Sequence, residues 1–214
     1  MKSKRTTSSA ELNNDRVGLS RNTQTTHQDD RELCRAVARN DHLAAANFFD
    51  RFQKDVNKIV WHILGADPDH DDLVQQAFLQ MLRALSRGDR IENPGAWVRT
   101  VTVNTVRTEL RRRARRRARQ KEFDRLIVSE ETSTDYRARR LLQRCYAILD
   151  RLEENERIAF VLRHMEGYTL QETADACQCS LATIKRRLAK AHDTFRDLAG
   201  QDALLAEFVT REEP

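Results

Sequence analysis

From residue 30 onward, apolar positions recur at intervals of three and four. Leu33, Val37, Ala44, Ala45, Phe48, Phe49, Phe52, Val56, Ile59, Val60 and Ile63 keep that spacing, which predicts helix with a break near Asn40. The stretch GADPDHDD, 65–72, interrupts it as a turn, because Gly65 and Pro68 punctuate it and its aspartates can cap the next helix. The segment 72–85 then carries one unbroken apolar stripe through Leu73, Val74, Ala77, Phe78, Met81, Leu82 and Leu85. Asp72, Gln75, Gln76, Leu79 and Arg83 lie on its opposite face. After the loop 86–97, Asn93 can cap and Pro94 suits a first helical position. The helix beginning there buries Val98, Val101, Val103, Val106 and Leu110 and runs into a block of arginines. Regularity fades over 122–140, where SEETSTD reads as a polar linker, and helical patterning resumes at 141.

The expected organisation is therefore all-α, with two small helical domains joined by a flexible linker. A disordered extension covers 1–29, the first domain 30–116, the linker 117–140, the second domain 141–200 and an acidic tail 201–214. Composition agrees: 214 residues with only 6 Gly and 3 Pro favour helix, and 33% charged residues favour two compact units over one large core. No apolar run approaches the ~20 residues that cross a bilayer, and the N-terminus lacks the apolar stretch of a secretory signal. Four cysteines without a paired framework suit a reducing cytoplasm.

The net charge of +5 is unevenly spread. Residues 98–121 hold ten basic side chains against the single Glu109, so the rest of the chain is net acidic. A charge run is usually a solvated face, but so dense a block repels itself unless something anionic neutralises it. Contact with a nucleic-acid backbone is the favoured reading.

Residues 168–191, YTLQETADACQCSLATIKRRLAKA, carry the sharpest local pattern. Thr169 and Glu172 form a capping box, Ala174 is small where two helices must cross, and Ser180 can cap a second helix anchored by Ile184. Leu181, Thr183, Lys185, Arg186 and Arg187 then face outward, a mixture suited to phosphates and base edges. Gln178 occupies the turn position where Gly is usual, at a cost of up to ~1 kcal/mol for a left-handed conformation. Cys177 and Cys179 admit two readings, packing or metal and redox chemistry. Packing is favoured, because His164 and His192 do not complete a ligand set. No metal, no cofactor and no catalytic constellation is expected.

The chain resembles bacterial RNA polymerase sigma factors of the sigma-70 superfamily, extracytoplasmic-function type. Four stretches carry the resemblance: DDLVQQAFLQML (71–82), NPGAWVRTVTVNTVRTELRRRAR (93–115), NERIAFVLRHMEGYTLQETADA (155–176) and SLATIKRRLAKAHDTF (180–195). It implies that the domains are sigma regions 2 and 4. The first would bind the polymerase β′ clamp coiled coil through Asp72, Gln75, Gln76, Leu79 and Arg83. It would melt the −10 element with Asp89, Arg90, Asn93, Trp97, Asn104, Arg107, Arg111, Arg112 and Arg115. The second would bind the β flap and read the −35 element with Ser180, Leu181, Thr183, Lys185, Arg186 and Arg187. Core polymerase, promoter DNA and an anti-sigma factor are the implied partners. Besides Gln178, Glu153 departs from the pattern, standing where Pro often starts the second unit.

Each assignment has a plainer rival. Leu79 taken alone is an ordinary exposed leucine. Trp97 is a core aromatic or a stacking platform for an unpaired base. Asn93 cannot both cap a helix and hold a base with the same oxygen. The rival function is a stand-alone helix-turn-helix regulator that dimerises on a palindrome.

Overall fold

The computed structural model describes residues 28–119 and 134–209. All regular structure among them is helical. Helix α1 covers 28–38 and α2 is His42–Leu64. Between them Asn40 takes φ 62°, and Asp41 caps α2 by accepting from the N–H groups of Leu43 and Ala44. Helix α3 is His70–Ser86 and α4 is Pro94–Arg119. The second unit contains α5 (Thr134–Leu149), α6 (Glu154–His164), α7 (Leu170–Cys177), α8 (Leu181–Gly200) and the short α9 (Ala206–Val209).

The apolar stripes behave as their spacing demands. Phe48, Phe52, Val56, Ile59, Val60 and Ile63 of α2 meet Leu73, Val74, Ala77, Phe78, Met81 and Leu85 of α3 in one buried layer, closed by Val98, Val103 and Val106 of α4. Phe49 and Leu82 are less covered than the stripe implies. Helix α4 also buries Thr102 and Thr105, whose hydroxyls donate to the carbonyls four residues back. Those bonds let a polar side chain be buried without an unsatisfied donor.

Several boundaries differ from those expected. Helix α3 starts at His70, two residues early. The expected linker, 117–140, is shorter at both ends, since α4 continues through Arg119 and α5 begins at Thr134; 120–133 lie outside the described residues. The expected tail, 201–214, is partly folded: Leu205 packs with Ile148 and Ala199, and Asp202 pairs with Arg144 at 3.4 Å. Of the expected disordered extension, 28–29 are helical and 1–27 lie outside the described residues.

The two units share a continuous apolar core, running from Phe48 and Val106 into Ile158, Leu162, Ala174 and Ile184. They also cap each other. The last carbonyls of a helix have no partner within it. At the end of α2, Arg157 Nε of α6 donates to the Ile63 carbonyl at 2.6 Å, and the Tyr146 hydroxyl donates to that of Trp61 at 3.3 Å. Gly65, at φ 78°, lets the Tyr146 ring sit where a β-carbon would lie 2.9 Å from it. At the end of α7, Arg107 Nη2 of α4 donates to the Cys177 carbonyl at 3.2 Å. A cation at a helix C-terminus also meets the negative end of the helix dipole.

Candidate nucleic-acid interface

Helices α7 and α8 form the expected helix-turn-helix. Thr169 accepts from the Glu172 N–H while the Glu172 carboxylate accepts from that of Thr169, completing the capping box. The Thr169 bonds hold the Glu172 carboxyl below its usual value. Ser180 caps α8 by accepting from the Thr183 N–H. Gln178 adopts φ 53°, the left-handed conformation expected of that position, and its N–H and that of Cys179 satisfy the carbonyls of Asp175 and Ala174. Ala174 and Ile184 are buried between the helices. Cys177 is 4% exposed in the same layer, and burial pushes its thiol up to about 11, so it is a protonated packing group. The four cysteines are free, and no cluster of three or more potential metal ligands occurs among the described residues.

Of the six residues expected to read DNA on this unit, Ser180, Leu181, Lys185 and Arg186 are exposed along the start of α8. Lys185 and Arg186 form no ion pair among the described residues. Thr183 and Arg187 depart from the outward-facing expectation. Both are half-buried, Thr183 paired with the Ser180 hydroxyl at 2.9 Å and Arg187 aimed at the Cys179 sulfur at 3.4 Å.

The arginine block is not the bare cationic stripe its density suggested. Glu109, buried among the arginines, accepts from Arg112 Nε at 2.6 Å and Arg113 Nε at 2.7 Å. Arg113 also binds Asp67, and Asp69 at 3.0 Å, tying α4 to the α2–α3 turn. The hydrogen bond from Arg113 holds Asp67 below the usual carboxylate range. Burial pushes Glu109 up, but the bonds from Arg112 and Arg113 outweigh it and hold the carboxyl low. Arg111 pairs with Glu154 at 2.9 Å. Arg115 is exposed.

Asn93 is engaged as a cap, its Oδ1 accepting from the Ala96 N–H at 3.1 Å. Trp97 is half-buried against the core. Asp89 and Arg90 are exposed on the α3–α4 loop. That loop and α1 enclose a cavity of ≈ 210 Å³, lined by Asp89, Arg90 and Glu92 on one side and Arg31 and Arg35 on the other. Sequence reasoning missed Arg31 and Arg35, because α1 is far along the chain from the loop it meets, with Arg31 and Glu92 61 positions apart. On α3, Asp72, Gln75, Gln76, Leu79 and Arg83 are all exposed on one face, with Leu79 at 44%.

Asn104 and Arg107 turn away from solvent towards the second unit. Asn104 Nδ2 donates to the Gln178 amide oxygen at 2.9 Å, and Arg107 donates both to Asn104 and to the Cys177 carbonyl. One turn earlier, the Arg99 guanidinium lies 5.1 Å from the centre of the Tyr168 ring.

Residues 48–116 match the model of Sigma-70 region 2, and residues 142–192 match that of Sigma-70, region 4. Together they span more than half of the chain. The RNA polymerase sigma-H factor of Pseudomonas aeruginosa is 25% identical over 79% of this chain and 93% of its own length. The extracytoplasmic-function sigma-E factor of Escherichia coli is 26% identical over 78% and 92%. Two solved structures share the fold. CnrH, in complex with the cytosolic domain of CnrY, aligns with a TM-score of 0.59 at 23% identity, covering 81% of this chain and 99% of that one. The sigma factor RpoE in complex with the anti-sigma factor NepR, from Bartonella quintana, gives 0.53 at 21% identity, covering 73% and 98%.

Proposed function

Because the chain belongs to the sigma-70 family of RNA polymerase sigma factors, in its extracytoplasmic-function branch, we propose a specific division of labour among its residues in promoter-directed initiation. One observation carries the reading: a polar face on α3, a basic α4 and a capped helix-turn-helix occur in one chain, in the order of the two matched regions. Asp72, Gln75, Gln76, Leu79 and Arg83 dock the β′ clamp coiled coil of core polymerase, and the second unit docks the β flap. Ser180, Leu181, Lys185 and Arg186 enter the major groove at −35, where basic and hydroxyl groups reach phosphates and base edges. The loop residues Asp89 and Arg90, together with Trp97, Asn104 and Arg107, hold bases of the opened −10 strand. Arg111, Arg112 and Arg115 lie along the backbone.

Opening the duplex costs about 1.4 kcal/mol of stacking per step, so base capture must act together with polymerase binding. The chain supplies specificity, and the chemistry of RNA synthesis belongs to the polymerase. Its relatives are named as sigma factors, not as enzymes. Such a protein works in the cytoplasm, and no helix among the described residues is long and apolar enough to cross a membrane. An anti-sigma factor fits as a regulator, as in the complex of RpoE with NepR.

Run-off transcription with purified core polymerase on genomic promoter fragments tests the whole. Specific transcripts that require the chain are expected. Tight binding of the free protein to a palindrome, without transcripts, would instead favour the stand-alone regulator. For docking, Leu79→Ala combined with Gln76→Glu is expected to weaken co-purification with core polymerase while leaving helix content by circular dichroism unchanged.

A further inference from the structure

We propose that Arg31 of α1 is a positioning residue for the α3–α4 loop, fixing where Asp89 and Arg90 stand and so setting the base preference of the −10 site. The proposal rests on the assignment of that loop to the opened −10 strand. One long-range bond carries it: Arg31 Nε donates to the Glu92 carbonyl at 2.5 Å, across 61 positions of sequence.

The second half of the loop has little else to fix it. The first half is tied to the end of α3, where the N–H groups of Arg87, Gly88 and Asp89 donate to carbonyls of Arg83, Ala84 and Leu85. Gly88 then takes φ 85°, which turns the chain off the helix. From Arg90 to Glu92 the main chain makes no hydrogen bond to the main chain of another described residue. The side-chain pairs, Arg87 with Asp89 at 3.8 Å and Arg90 with Glu92 at 2.9 Å, are local and exposed, and such pairs fix little. Ile91 packs partly on the core, and Asn93 is engaged as the α4 cap. Among the described residues, the bond from Arg31 is the one polar tie from residues 90–92 to another element.

Helix α1 is a firm base for that tie. Asp30 is 4% exposed and accepts from Arg51 Nε at 2.9 Å and Nη2 at 3.1 Å, which pins α1 to α2. Cys34 and Val37 are buried in the core one and two turns on. Arg31 and Glu92 both line the ≈ 210 Å³ cavity between α1 and the loop, so the bond sets its width. A charge-assisted bond to a loop carbonyl favours one arrangement of the loop. A site discriminates between bases only while its groups stay within about 0.5 Å of place.

The bond uses Nε, not the terminal nitrogens. Glutamine places an N–H donor at the same number of bonds from the main chain, without the charge. Arg31→Gln therefore separates support of the loop from attraction of DNA.

The test uses the full chain with core polymerase on four promoter fragments that differ in one base pair of the −10 element. Arg31→Ala is expected to reduce the transcript ratio between the best and the worst fragment about fivefold, as the loop's working arrangement becomes less populated. Arg31→Gln is expected to keep the wild-type ratio. A residue serving stability alone would lower all four transcripts together. That uniform loss, an unchanged ratio, or Arg31→Gln behaving like Arg31→Ala overturns the proposal. Arg31 is exposed, so helix content is expected to stay. If Arg31→Ala loses it, Arg31→Met, which keeps the stem and lacks the donor, takes its place. Hydrogen exchange of the free chain reads the loop without polymerase. The amides of 89–92 should exchange about fivefold faster in Arg31→Ala and at the wild-type rate in Arg31→Gln. Unchanged exchange in Arg31→Ala overturns the positioning role. If wild type shows no preference among the four fragments, the assignment of the loop to DNA fails and the base preference with it, while exchange still decides whether Arg31 holds the loop.

Discussion

Two basic elements of this molecule differ in what their charge is for. Helix α4 has many arginines, and most of those whose side chains are described are committed within the chain: Arg113 to Asp67, Asp69 and Glu109, Arg112 to Glu109, Arg111 to Glu154 and Arg107 to the end of α7. Helix α8 offers only Lys185 and Arg186 at its exposed start, and neither is paired among the described residues. Density of charge in a sequence is therefore a poor measure of charge available to a ligand. What decides availability is whether carboxylates and helix ends from elsewhere in the fold reach it first.

The largest effect should come from the most committed arginine. Arg113→Ala removes the cation that faces the Asp67 side chain, only 8% exposed, and leaves Glu109 to Arg112 alone; it is expected to cost about 2–4 kcal/mol in urea unfolding. Arg186→Ala should leave that unfolding curve in place. If Arg113→Ala unfolds like wild type, its network is decorative and the contrast between the helices fails.

The next effect reverses the order. Arg186→Ala is expected to cost about 1–3 kcal/mol in holoenzyme binding to a cognate −35 element and to flatten the preference over a scrambled one. An equal loss on both sequences would make Arg186 a phosphate contact instead.

A smaller effect separates two arginines three residues apart. Arg115→Ala should weaken binding to all promoters alike and reduce the salt slope by about one unit. Arg112→Ala should reduce it less, because Arg112 already shares its charge with Glu109. Equal slopes for the two variants would show that the internal pairing yields to DNA.

The smallest is a pH effect in the second unit. His164 and His192 bring their Nε2 atoms to 2.6 Å across α6 and α8. Burial, then the neighbouring His192 and Arg163, lowers the His164 pKa from the ordinary 6.5. A base whose folded pKa is depressed stabilises the fold above its unfolded pKa and loses that contribution as pH falls. Melting temperature should accordingly drop by about a degree or two below pH 6.5, the charge effect being screened at an exposed site. His192→Gln should shrink the drop. An identical pH dependence in that variant would remove the pair as its cause.

The local grammar of the chain was readable before any coordinates. Spacing located α2, α3 and the start of α4, and the Thr169–Glu172 box, Ser180 and Ile184 located the helix-turn-helix down to the left-handed Gln178. Each of those features depends on residues within a turn or two of one another. What stayed hidden depends on partners far away. Glu109 stood in the sequence as one acid among ten bases, but nothing in the spacing placed Asp67 against Arg113. The folded part of the tail was missed because Leu205 sits in a short apolar run, ALLA, flanked by acidic residues, and only its packing on Ile148 and Ala199 reveals its role. Closure of the two units was hidden for the same reason. Arg157 is buried because it meets a main-chain carbonyl of the other unit, a partner that leaves no trace in a sequence.

That carbonyl belongs to Ile63, 94 residues upstream of Arg157. A ribosome adds about 5–20 residues per second, so roughly 5–20 s pass between the synthesis of Ile63 and that of Arg157. During that interval the Ile63 carbonyl has no Arg157 to accept from, and Arg107 has no α7 to cap. The nascent first unit is thus made uncovered and is sealed only once α6 and α7 have followed it.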